Sequence, residues 1–98
     1  MPYLIETWDK PDSIPLRMKH RPDHLEYLAN NASLLLASGA KLNDDGKDVG
    51  GGIYIVDTDS RNEATAFIEA DPFFKAGLFE HISIVRWRKA YLANVCFL

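Results

Sequence analysis

Asp71 stands where a helical pattern calls for a core residue. Ala64, Phe67 and Ile68 fall at i, i+3 and i+4, and position i+7 of that face is Asp71. A carboxylate in an apolar wall must find a partner, shift its pKa, or both. Pro72 follows at once and disfavours the helical conformation in the residue before it, so the helix is expected to end at Asp71. Phe73 and Phe74 come next and would exclude water from that carboxylate. A second candidate is His24, on the flank of an apolar stripe formed by Leu25, Leu28, Ala29 and Ala32. Imidazole takes or gives a proton near neutral pH. A carboxylate against its ring fixes the tautomer and stabilises the imidazolium. The chemistry open to such groups is proton transfer: isomerisation, elimination such as dehydrohalogenation, or hydrolysis. The same two side chains joined in a purely structural ion pair would do none of these.

Other reactive residue types carry less. His20 precedes the helix and reads as solvated, and His81 opens a strand, where packing explains it as well as a site does. A His24, His81 and Asp71 metal set has no recognised ligand spacing, so no metal is expected. Gly50-Gly51-Gly52 lacks the spacing and the Lys-Ser/Thr of a phosphate loop; it reads as a flexible loop, a bulge or a close backbone approach. Trp8, Tyr54 and Trp87 read as core. Cys96 is the single cysteine and has no basic neighbour to activate it. With no cofactor motif in the chain, no cofactor is expected.

These residues need elements to hold them. Tyr3 to Asp9 reads as a first strand with bulky residues on both faces. Asp12 or Ser13 caps a short helical turn through Met18. Pro22 suits the first turn of a helix, so the main helix is expected from about Arg21-Pro22 to Asn31. That places His24, Asp23 and Glu26 in its first turn, where carboxylates suit the positive helix end. Leu34 to Leu42 reads as a second strand, 43–48 as an Asp-Gly turn, and Ile53 to Val56 as a third strand. Ser60-Arg61-Asn62-Glu63 is a capping box for the second helix. A fourth strand is expected from about Glu80 to Lys89. The order β-α-β-β-α-β is the ferredoxin-like α+β arrangement, a four-stranded antiparallel sheet with two helices on one face. The open face still carries aromatic and aliphatic residues, so a second subunit is expected to cover it, giving a homodimer.

Composition bounds the rest. The 98 residues make one domain, with a core over about 2–91 and an apolar tail at 92–98. A net charge of −3 with no basic block argues against nucleic acid as a partner. No apolar run approaches the roughly 18 residues of a spanning helix, so no membrane is expected. The first residues lack signal-peptide features and a lone cysteine makes no internal disulfide, which points to the cytoplasm.

Four pieces at matching spacing resemble the YCII-related domain family. They are Arg21-Pro22-Asp23-His24-Leu25, Ser38-Gly39 at a strand end, Ala70-Asp71-Pro72-Phe73, and Ala76-Gly77 before Glu80-His81. The resemblance implies a ferredoxin-like subunit that dimerises sheet to sheet into an α+β barrel, a group similar to muconolactone isomerases and small monooxygenases. It also implies a cleft with a catalytic His and Asp, which are His24 and Asp71 in this chain. In that cleft Arg21 or Arg17 would hold a substrate carboxylate or phenolate. Ser38 and the backbone at Gly39 would supply hydrogen bonds, and Phe73 would exclude water. Many relatives follow the glycine of the second strand with proline, where this chain has Ala40-Lys41, so pocket shape differs there. The expected function is a small enzyme acting by proton transfer on a small cyclic or aromatic molecule. Two alternatives remain: a non-catalytic binder of a small ligand in the same cleft, and an assembly protein using its apolar tail.

Overall fold

β1 (Tyr3–Asp9) becomes a central strand because its alternate residues Tyr3, Ile5 and Thr7 are all buried. In the computed structural model, which describes residues 1–98, β1 pairs antiparallel with β3 (Asp48–Val56) on one side and β4 (Phe79–Arg86) on the other. β2 (Leu35–Leu42) closes the edge against β3, giving the order β2-β3-β1-β4. Two helices, α1 (Ile14–Asn30) and α2 (Arg61–Glu69), and a single helical turn, α3 (Pro72–Lys75), complete the ferredoxin-like α+β domain. The core lies between sheet and helices: Tyr3, Ile5, Tyr54 and Val56 from the strands meet Ala64, Phe67 and Ile68 from α2. No helix is long and apolar enough to cross a membrane.

Four elements differ from the sequence-based expectation. The first is α1, which runs unbroken from Ile14 with Pro22 inside it. Pro15 already supplies the proline of the first turn. Pro22 removes one backbone donor, but both it and Met18, whose carbonyl loses that donor, are exposed, so water serves the carbonyl. His24, Asp23 and Glu26 therefore lie mid-helix, and the first turn holds no acidic residue. Leu25 is exposed; the fully buried residues of α1 are Arg17 and His24, two turns apart on one face. The polar side chains, not the leucines, turn furthest inward.

The second is β3, which begins at Asp48 and includes the glycine run. Gly51 adopts φ +126°, and a Cβ there would lie 2.1 Å from the Thr7 carbonyl oxygen. The run is thus a close backbone approach to β1. The third is the chain after α2. The helix ends at Glu69, and Asp71 is extended (φ −65°, ψ 132°), as the proline behind it demands. Asp71 is then the N-cap of α3 rather than the last residue of α2. The fourth is the C-terminus, where β4 stops at Arg86 and the tail forms a small hairpin, β5 (Tyr91–Leu92) and β6 (Val95–Cys96), around Ala93 and Asn94 at positive φ.

Candidate active site

Asp71 is fully buried at the junction of α2 and α3, and three donors surround its carboxylate. The Phe73 backbone N–H donates to Oδ1 at 2.8 Å, the N-cap bond of α3. The Tyr54 hydroxyl, reaching from β3, donates to Oδ2 at 3.2 Å. His24 Nδ1 lies 3.0 Å from Oδ1 and 2.9 Å from Oδ2. An ionised carboxylate only accepts, so Nδ1 carries a hydrogen and the neutral ring presents its Nε2 lone pair away from Asp71. Phe73 stacks on the imidazole, with ring centroids 4.0 Å apart and an interplanar angle of 13°. The imidazole is thereby held by a charge on one edge and an aromatic plane on one face.

His24 also lines a cavity of about 220 Å³ between α1 and the β2–β3 edge. Arg17, Arg21, Leu25 and Leu28 border it from the helix, with Ser38, Gly39, Ala40, Gly52 and Tyr54 from the strands. The volume is below the roughly 300–1,000 Å³ of drug-sized sites, so it suits a small molecule. Arg17 is anchored: its Nε donates to Asp9 Oδ2 at 2.8 Å, both side chains are buried, and its guanidinium lies 4.7 Å from the Phe73 ring centre. With Nε engaged, the terminal nitrogens remain for a bound anion.

Burial, and then the Asp71 charge, push the Tyr54 hydroxyl well above the ordinary tyrosine range. Tyr27, whose hydroxyl donates to the Phe67 carbonyl, is raised by the same two causes. Both phenols stay protonated wherever the imidazole titrates.

Of the residues singled out from the sequence, His24, Arg17, Arg21, Ser38 and Gly39 line this cavity, and Asp71 and Phe73 stand behind it against His24. His81 does neither. It stacks on Trp8 at 4.9 Å on the open face of the sheet, so the His24, His81 and Asp71 set never assembles. Trp8 is likewise on that open face and is exposed in the single chain. Tyr54 and Asp9 were not anticipated. Tyr54 alternates with Ile53 and Ile55 and so carries the pattern of a core residue, which it is on all sides but its hydroxyl. Asp9 ends β1, and nothing in its neighbours announces Arg17.

The YCII-related domain matches residues 1–88. The chain belongs to that family. It is 34% identical over 98 residues to Protein YciI of Escherichia coli O6:H1 and to that of Shigella flexneri, covering 93% of this chain and all of theirs. Among solved structures, 5-chloro-2-hydroxyhydroquinone dehydrochlorinase of Burkholderia phenoliruptrix AC1100, in complex with 2,5-dihydroxybenzoquinone, is similar at 35% identity. The TM-score is 0.82, over 90% of this chain and 94% of that one. An antibiotic biosynthesis monooxygenase shares the fold at 14% identity and TM-score 0.52, over 91% of this chain and all of that one. The expected family and the expected α+β fold are therefore both met in this YCII-related chain.

Proposed function

We propose that this YCII-related chain is a small acid–base enzyme that eliminates a leaving group from a hydroxylated ring. The observation that carries the proposal is His24 itself: Nδ1 is fixed by a buried carboxylate while the ring lines a cavity beside an anchored arginine. The similarity to a dehydrochlorinase of chlorinated hydroxyhydroquinone supports that class of substrate.

In the proposed reaction Nε2 takes the proton of a ring hydroxyl. The electron pair enters the ring, and the proton is returned to the chlorine-bearing carbon. Loss of a second hydroxyl proton then forms another carbonyl and expels chloride with its bonding pair. The sum is loss of one proton and one chloride, with two hydroxyls becoming carbonyls and hydrogen replacing chlorine. No external oxidant is consumed. Arg17 would hold the oxygen on which negative charge develops, with Arg21 and Ser38 at the rim. A second copy of the chain would cover the open sheet face.

The test is chloride release from a chlorinated hydroxyhydroquinone. Wild type should turn it over, and His24→Ala should lose about 10²–10⁴-fold in kcat/KM. Tight binding of the quinol with no chloride released would favour the non-catalytic binder instead.

A further inference from the structure

Asp71 has two oxygens, and each has its own donor besides the histidine. Oδ1 takes the Phe73 N–H and Oδ2 takes the Tyr54 hydroxyl, with His24 Nδ1 shared almost evenly between them. The backbone donor is fixed by α3, so the hydroxyl is the one partner that side-chain chemistry can alter. We propose that Tyr54 is a positioning residue whose hydroxyl sets the proton affinity of the His24–Asp71 pair. This role rests on His24 acting as the base of the cavity.

The physics is a partition of negative charge. Each hydrogen bond to a carboxylate stabilises its ionised form and draws charge toward the donor. Charge drawn to Tyr54 is charge no longer directed at Nδ1. The hydroxyl therefore weakens the field that favours imidazolium, and holds the base below the strength that a lone Asp71 would give it. A weaker base releases its proton sooner, which suits a residue that must take a proton and pass it on. Burial beside an anion keeps Tyr54 protonated, so the donor persists across the working pH range. The Tyr54 ring also stands edge-on to His24 at 6.1 Å and limits rocking of the imidazole. The other charged or titratable groups around the pair are Arg17 and Arg21 from α1, Asp9 from β1, and Tyr27. None of them hydrogen-bonds the Asp71 carboxylate.

A purely structural Tyr54 would need only its ring, which packs on Phe67 as a phenylalanine would. Two changes of opposite sign separate the roles. Tyr54→Phe removes the donor; 3-fluorotyrosine placed at position 54 makes the donor more acidic and stronger. The His24 titration, followed by NMR in the full chain, should move up by roughly half a unit to one unit in Tyr54→Phe and down in the fluorinated protein. The acidic limb of a kcat/KM profile should move in the same directions. If Tyr54→Phe does not fold, the fluorinated protein, which keeps the hydroxyl, decides alone. Midpoints that stay in place would overturn the role, because a structural ring moves neither. The titration needs no substrate. Unmoved midpoints with full turnover would remove only this role for Tyr54, and moved midpoints without turnover would remove only the proposed function.

Discussion

Asp71→Asn keeps the shape of the side chain and removes its charge. The carbonyl oxygen of the amide can still accept from Phe73 or Tyr54, but its NH2 then faces a donor. Loss of a charge-assisted bond in a fully buried setting is expected to cost about 1–3 kcal/mol in urea unfolding. An NMR titration of His24 in the variant should move downward, because the anion in contact with Nδ1 is gone. A titration that stays in place would mean that Asp71 does not act on His24. At this scale the carboxylate was legible from the local pattern, whereas its pairing with His24 was legible only through the family resemblance. Asp71 announced itself by breaking an apolar helical stripe just before a proline. His24 lies 47 residues away, and only the packing of α1 against α3 joins them. Tyr54 and Asp9 stayed hidden for another reason. Periodicity separates inside from outside, and a residue with one polar atom on a buried cavity wall is inside by that measure.

Between elements, the tightest constraint lies where β3 crosses β1. A methyl group at Gly51 would meet the Thr7 carbonyl oxygen at 2.1 Å, and its φ of +126° is one that side chains rarely adopt. Gly51→Ala is expected to lose about 3 kcal/mol or more, from backbone strain together with forced separation of two central strands. Gly39 is the matched control. A methyl group there meets nothing within 4 Å, so Gly39→Ala should stay within about 1 kcal/mol of wild type in the same melt. Equal losses at both positions would show that the β3–β1 approach is not the constraint. Glycine also hides the start of β3 in the sequence: it weakens a strand pattern even where the ladder demands it. The error at Pro22 is of the same kind. Proline usually marks a helix start, but here Arg17 and His24 are both held from the protein side, by Asp9 and Asp71. Those two anchors carry the helix past one missing hydrogen bond on its wet face.

Taken as a whole, the chain covers its sheet with helices on one side only. Tyr3, Ile5 and Thr7 of β1 are covered by helices, whereas Leu4 and Trp8 share the other face with Ile53, Ile55 and Val85. Trp8, Ile53 and Val85 all count among the exposed large apolar side chains. Such a contiguous apolar face is uncommon on a monomer and common at an interface between copies. One charged pair also lies there: Lys41 reaches Glu6 at 3.3 Å and covers the Trp8 ring at 4.2 Å, so the face already holds its charges neutralised. The expected outcome is a dimer of about twice 11.1 kDa in sedimentation equilibrium at micromolar concentration. Ile53 is 37% exposed in the single subunit, so Ile53→Lys should leave the fold intact while placing an unpaired cation in the interface. It should sediment as a folded monomer. The hairpin at the C-terminus gives the discriminating comparison, because Tyr91, Val95 and Phe97 are also exposed. Removal of 91–98 should leave the dimer in place if the sheet face is the contact. A dimer that survives Ile53→Lys and is lost with the hairpin would assign assembly to the tail and leave the sheet face free.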